Sequence, residues 1–457
     1  MKVILCGAGR VGYGIAEKLC SEDNEVTVID VSAQLVQQIS TNLDVRGIVG
    51  HGAHPEVLVR AGIESADMFI AVTHLDEVNM VACQLAHSLF DVQTKIARVR
   101  AQSYLDQAWQ DIFSRNHIPI DVVISPELEV AKAILQRIKT PGAFMNTPFF
   151  NGRVSLLGVR LLDSCPVANT ALTQLTELFP DLKSMVVGVK RAGSVFVPKG
   201  EDQIMAGDEI YVIAHAEQIA RTLDILGRNE ARGQNIVMIG GGNIGVHLAK
   251  ELEHLPGVRV RMIEINKEQA QKASIALQKT VVLHGDGLDR DTLIEAGVNG
   301  ADIAISLSND DRVNVLSAGL VKEAGVRRTL CLVNDQTLNS LKEPLRVDVF
   351  IDPRQTTIST ILQHVRRGRI LAVQSLENGQ AEVIEAVALS TSPLIGKSLN
   401  ELDIPDGIRV GAVARGDEIL FPSGSFVIRA DDQVILFVER DKIPVVEKMF
   451  RVSADYF

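Results

Sequence analysis

Two glycine turns in the same local setting, a repeat running the length of the chain, and strand-rich stretches after each turn-bearing unit together predict the fold class. It is an α/β protein with two Rossmann-type doubly wound parallel-sheet domains, each followed by a small α+β lobe. The first turn lies in KVILCGAGRVG at 2–12 and returns as NIVMIGGGNIG at 235–245, 233 residues further on. VTVID, ending at Asp30, matches VRMIEI with Glu264, and GHGAHPEVL from Gly50 matches GDGLDRDTL from Gly285. The match continues from AGIESADMFIAVTHLDEVN (Ala61 to Asn79) to AGVNGADIAISLSNDDRVN (Ala296 to Asn314), and from DVVISP (Asp121 to Pro126) to DVFIDP (Asp348 to Pro353).

After each of these units comes a helix-compatible stretch, ELEVAKAILQRIK or RQTTISTILQHVRR. Each half then turns to alternating β-branched strands broken by glycine and proline: VSLLGVRLL, SMVVGVKR and DEIYVIA, then EVIEAVAL, IRVGAVAR and DQVILFV. The reading places a first Rossmann lobe at 1–125, a crossover helix and linker at 126–148, and a first small lobe at 149–226. The second copies follow at 233–350, 351–372 and 373–457. The seam between halves is the charged, helix-breaking LGRNEARGQ at 226–234.

Composition sets the outer bounds. With 57 acidic and 46 basic side chains the net charge is −11, against broad attachment to nucleic acid or to an anionic lipid surface. Five cysteines, Cys6, Cys20, Cys83, Cys165 and Cys331, lack Cys-x-x-Cys spacing and read as reduced core residues of a cytosolic protein. Charged residues interrupt every apolar run before the roughly 18 residues of a membrane helix. The start, MKVILCGAGR, enters a strand and a turn directly, which leaves no room for an export signal.

The glycine turns carry the functional reading. Gly7, Gly9 and Gly12 follow an apolar strand and open a helix, with Ala8, Arg10 and Val11 between them. In that context the first glycine permits the turn, the second admits a pyrophosphate, and the third lets helix pack on strand. The helix N-terminus then receives negative charge. Asp30, at the end of the second strand, is placed to accept from both ribose hydroxyls, which favours NAD over NADP; the competing role is a helix N-cap or plain strand end. Thr73 and His74 follow the strand MFIAV at the carboxyl edge, and Arg98 ends TKIAR and reaches the same edge. A strand-to-helix loop and a surface arginine are the plainer alternatives. The second site has Gly240, Gly241, Gly242, Asn243, Ile244 and Gly245, with Glu264 for Asp30 and Ser308 and Asn309 for Thr73 and His74. Leu332 stands where the first half has Arg98, so weaker or different nucleotide binding is expected there.

These motifs resemble RCK/KTN domains, and duplication of the whole unit resembles the regulators of bacterial Trk potassium-uptake systems. The resemblance implies a peripheral protein at the cytoplasmic face of the inner membrane. It implies binding of NAD(H), with ATP or ADP as further candidates, and gating of an integral membrane potassium-translocating subunit of the TrkH/TrkG type. It also implies a homo-oligomer, dimer or tetramer, forming a ring through the crossover helices, and no role for nucleic acid. His51, where the second half and the family have aspartate, is a departure that bears on a ribose-side or fold-stabilising contact.

An NAD-dependent oxidoreductase is the alternative function. It requires a proton-transfer group beside the nicotinamide. Tyr211, His215 and His364 lie in or beside regular elements with no partner constellation, so the sequence favours a sensor, not an enzyme, and assigns no catalytic or metal-binding residue. A structural assembly protein with vestigial sites is a third possibility.

Overall fold

Four apolar residues followed by a glycine turn make a buried strand that must stop abruptly, and both halves begin this way. The computed structural model describes residues 1–21, 24–228, 234–365, 370–390, 392–402 and 404–450. The seam expected at 226–234 therefore lies, from 229 to 233, outside the described residues.

In the first half β1 (Lys2–Cys6), α1 (Arg10–Cys20), β2 (Glu25–Asp30), α2 (Ala33–Asn42), β3 (Arg46–Val49), α3 (Pro55–Arg60) and β4 (Met68–Ala71) alternate. Then come α4 (Asp76–Ser88), β5 (Thr94–Arg98), β6 (Val122–Ile124) and the crossover helix α5 (Pro126–Lys139). The six strands form one sheet in the order β3-β2-β1-β4-β5-β6, all parallel. This is the doubly wound order, with its reversal point between β1 and β4 where the glycine turn sits. Apolar residues leave both faces of β1: Val3 and Leu5 pack with Ile15 and Leu19 of α1, while Ile4 and Cys6 pack with Phe69 and Ala82. All five cysteines are free and four are buried, and burial pushes the Cys6 thiol up to about 12.

The first small lobe holds β7 (Met145–Phe149), β8 (Val154–Arg160), β9 (Thr170–Ala171), α6 (Leu172–Leu178), β10 (Ser184–Arg191), β11 (Ser194–Phe196), β12 (Gln203–Ile204), β13 (Glu209–His215) and α7 (Ile219–Ile225). Its main sheet runs β11-β10-β13-β8-β7 and is antiparallel.

The second half repeats the pattern with β14 (Asn235–Ile239), α8 (Asn243–Glu253), β15 (Arg259–Glu264), α9 (Lys267–Ala276), β16 (Val281–His284), α10 (Arg290–Glu295) and β17 (Ile303–Ser306). It continues through α11 (Asp311–Glu323), β18 (Arg328–Leu332), β19 (Val349–Ile351) and α12 (Pro353–Gln363). The order β16-β15-β14-β17-β18-β19 reproduces the first sheet strand for strand. The last lobe has β20 (Ile370–Leu376), β21 (Ala381–Val387), β22 (Ile408–Arg415), β23 (Glu418–Leu420), β24 (Gln433–Glu439) and α13 (Ile443–Met449), with sheet order β20-β21-β24-β22-β23.

Large and small lobes alternate along the chain, but in the structure like lobes group together. One unit contains Met1–Ala133 with Gln234–Val365, the other Ile134–Gly233 with Arg366–Phe457. Within the first unit the two Rossmann lobes pair through α12, whose Ile358 and Ile361 pack with Ile15 and Leu19 of α1. A Cβ on Gly14 would lie 2.4 Å from Ile358 Cδ1, so a larger residue there requires the tip of Ile358 to move. The second crossover helix thus joins the halves of a single chain.

Within the second unit the two small lobes share a core in which Phe150, Tyr211 and Ile213 meet Val383, Ala412 and Phe437. One carboxylate is sunk in this contact: Glu385 Oε2 accepts from the Phe150 backbone N–H at 3.1 Å. Burial raises its pKa, opposed by that hydrogen bond and by Arg153. A raised carboxyl favours the fold at acid pH, and the benefit is lost as pH rises through the folded-state value. Glu385→Gln, which keeps an acceptor for Phe150, is therefore expected to raise the thermal midpoint at pH 8 and to change it less at pH 5. A lower midpoint at pH 8, read by differential scanning calorimetry, would contradict this.

Candidate nucleotide sites

At the first turn Gly7 takes φ +113°, and its N–H donates to Ile29 O at 2.8 Å, closing the turn against β2. A Cβ on Gly12 would sit 1.9 Å from Gly7 O, so α1 can start there only with glycine. Gly9 differs: nothing lies within 4 Å of where its Cβ would be, which leaves open space at the N-terminus of α1 for an anion. Asp30 Oδ2 accepts from Ala8 N at 2.7 Å and Oδ1 from Ser32 N at 2.8 Å. Asp30 is therefore not the cap of α2; Ser32 is, accepting from Leu35 N. Arg10 is exposed and Val11 half-buried.

The second turn is built alike. Gly240 also has φ +113°, Gly245 would place a Cβ 2.2 Å from Gly240 O, and Gly242 again faces open space. Glu264 Oε2 accepts from Gly241 N at 2.6 Å and Oε1 from Asn266 N at 2.8 Å, while Gln269 donates to Gly241 O. The longer side chain thus spans the same gap that Asp30 spans. The His51 departure resolves as a turn contact, since its Nδ1 accepts from Ala53 N just as Asp286 Oδ1 accepts from Leu288 N.

Two residues that shape the carboxyl edge were not singled out from the sequence. Asn79 is fully buried; it accepts from Thr73 N and Oγ1 at 2.9 and 2.7 Å and donates to Thr73 O and Arg98 O at 3.1 and 2.9 Å. Asn314 holds Ser308 N and O and Leu332 O in the same way. Asp76 accepts from Arg100 N and Ala101 N, and Asp311 from Asn334 N and Asp335 N. The signal was on the page: DEVN and DRVN recur at the same place in both halves, with polar residues where the helix turns inward.

A cavity of about 1150 Å³ opens on the second turn. Gly240, Gly242, Asn243, Ile244, Glu264, Ser308 and Asn309 line it, and so do Val11, Arg98 and Arg100 of the first half. Arg354 and Lys272 contribute two more cations, and Leu332 is also in the wall. Arg98 and Arg100, at and just past the end of β5, thus bring positive charge to the other half's turn, in a lining that also holds Glu127, Glu264, Glu268, Asp286 and Asp310. Arg98 Nη2 donates to Thr73 O at 2.8 Å, while its Nε is buried without a hydrogen-bond partner, as is Nε of Arg354. Burial, then the nearby Arg100, lowers the Arg98 pKa, against Glu127 and Asp76. Arg100 Nε donates to Glu127 Oε1 at 3.0 Å.

Not every predicted residue converges on this cavity. Gly7, Gly9, Asp30 and Thr73 stay at the first turn, and Gly241 faces Glu264. His74, exposed, lines a smaller cavity of about 280 Å³ with Arg100, Glu127 and Asn243. Tyr211 donates to Glu377 Oε1 at 2.8 Å, His215 Nδ1 accepts from Glu217 N, and His364 has its pKa lowered by desolvation. None of the three lines the large cavity.

Two tandem dinucleotide-type domains, each with an accessory antiparallel lobe and sharing a cavity lined by four cations and five carboxylates, define a doubled ligand-binding architecture. The TrkA-N domain matches at 3–126 and 236–353 and the TrkA-C domain at 156–227 and 383–451. The Trk system potassium uptake protein TrkA of Azorhizobium caulinodans is 52% identical over 458 residues, covering all of both chains. The chain belongs to the TrkA family of Trk system potassium uptake proteins. Its fold is shared with a solved GsuK RCK domain, at 18% identity and a TM-score of 0.61 over 98% of this chain and 94% of that one. A GsuK channel bound to NAD gives 17% and 0.61, over 98% and 78%. Among the described residues no helix is long and apolar enough to cross a membrane.

Proposed function

We propose that this chain is a nucleotide-reading regulatory subunit, binding NAD(H) and transmitting occupancy to a membrane potassium-translocating protein of the TrkH/TrkG type. The observation that carries the reading is the cavity on the second turn, because its walls come from both Rossmann lobes. A ligand there touches both halves at once and favours whichever arrangement gives it more contacts, which is all that regulation by occupancy requires. The residues fit a dinucleotide: Gly242 leaves room for a pyrophosphate, Glu264 stands at the ribose end, and the orphaned Arg98 Nε awaits an acceptor. ADP or ATP fits the same chemistry, with Arg98 and Arg100 toward the phosphates. At the first turn, Gly7 to Gly12, Asp30, Thr73 and His74 form the corresponding site. The protein acts at the cytoplasmic membrane face without transforming the nucleotide, in an oligomer whose rings bring several such cavities together.

Glu264→Gln is expected to weaken NADH binding about 30-fold, or ~2 kcal/mol, since two ribose hydrogen bonds pass from a charged to a neutral acceptor. Calorimetric titration of the full chain, with Asp30→Asn in parallel, assigns the two sites. Undiminished affinity in both variants would remove the reading, and sustained NADH oxidation with a metabolite would replace it with an oxidoreductase.

A further inference from the structure

The unit formed by the two small lobes holds a second cavity, of about 600 Å³, which the nucleotide reading leaves unused. That volume lies within the range of small-molecule sites, roughly 300 to 1,000 Å³. Its walls are mainly apolar: Leu172, Leu175, Phe179, Val186 and Val212 from the first small lobe, and Phe421 from the second. Into this lining β22 brings one cation, Arg409.

Arg409 is in an unusual position for an arginine. Its Nη1 donates to Pro198 O at 2.6 Å, but among the described residues no carboxylate pairs with it. Burial alone lowers its pKa, with no neighbouring charge acting against that. Glu177 also lines the cavity but is exposed. Arg409 is half-buried, and taking even part of a guanidinium out of water without a counter-charge is costly. The internal repeat shows that the fold does not require it: Arg409 pairs with Phe437 across β22 and β24, as Met185 pairs with Ile213 across β10 and β13. One half therefore carries a methionine where the other carries an uncompensated cation facing an apolar cavity.

We propose that this cavity binds an amphipathic monoanion, a carboxylate with a hydrocarbon body, its head on Arg409 and its body against Leu175, Phe179 and Val212. The carboxylate supplies the missing counter-charge while the lining takes the apolar part out of water. Such a ligand spans both small lobes, so it adds an input separate from the nucleotide.

Calorimetry on the full chain with decanoate below its micellar concentration, decanol below its solubility limit, and acetate tests the assignment. Decanoate is expected to bind saturably, decanol about tenfold or more weakly, as befits loss of a charge-assisted contact, and acetate not measurably. Arg409→Met, which installs the side chain found at the matching position of the first half, is expected to lower decanoate affinity by about tenfold or more. Thr176→Trp, at an exposed wall position, is expected to abolish binding by filling the space, and it decides the matter if Arg409→Met does not fold. Equal binding of decanol and decanoate, unchanged decanoate affinity in either folded variant, or non-saturable uptake would overturn the proposal.

Discussion

Gly245→Ala is expected to cost about 3–5 kcal/mol of stability, whereas Gly242→Ala, three residues earlier, is expected to cost about 1 kcal/mol or less and yet impair nucleotide binding. The contrast follows from where a methyl group would go. At Gly245 it would lie 2.2 Å from the backbone oxygen of Gly240, which cannot move without breaking the N–H contact of Gly240 to Ile263 O. At Gly242 the backbone has φ −69°, which alanine accepts, and the methyl would enter open space. That space is where a pyrophosphate must approach the helix. The first turn gives the matching pair: Gly12→Ala should be destabilising and Gly9→Ala tolerated, with its φ of −65°. Urea unfolding and NADH titration on the four variants provide both readouts. If Gly242→Ala and Gly9→Ala bind NADH as the parent does, neither open space is a ligand site.

Asn314→Ala is expected to cost about 3–5 kcal/mol, from several buried groups left unpaired at ~1–3 kcal/mol each. The side chain is fully buried and serves Ser308 N, Ser308 O and Leu332 O together. Asn79→Ala is expected to behave alike and to have a second effect, because Asn79 fixes both Thr73 O and Arg98 O, and Arg98 in turn donates to Thr73 O. Freed from that arrangement, Arg98 loses its fixed place in the wall of the other lobe's cavity. The expected result is a stability loss in each variant, accompanied in Asn79→Ala by weaker nucleotide binding at the second turn. A loss below about 1 kcal/mol in urea unfolding would mean that water replaces these contacts without penalty.

Much of the fold was readable because it is encoded locally. Strand, glycine turn and helix follow within eleven residues of each other, and a right-handed crossover leaves little choice about strand order once the parallel pattern is recognised. The ends of β2 and β15, with Asp30 and Glu264, were readable for the same reason. The pairing of lobes was not, since nothing in the spacing of RQTTISTILQHVRR says that its apolar face settles on the first half's α1. The charge at the second site was not legible for the same reason: Arg98 and Leu332 occupy matching positions, yet both line the cavity on the second turn. Asn79 and Asn314 escaped notice because an asparagine within a helix reads as a solvated polar residue until burial is known.

The shared core of the small lobes and the seating of α12 on α1 have a consequence for how this protein differs from a pair of identical subunits. In a homodimer every substitution is made twice, once on each side of the axis, and the partner is lost on dilution. Here the partner is covalently attached, so the association is unimolecular and independent of protein concentration. A change on one side leaves the other untouched. Arginine at 98 against leucine at 332, and methionine at 185 against arginine at 409, show the result: a pseudo-symmetric frame whose two sides are free to answer to different molecules.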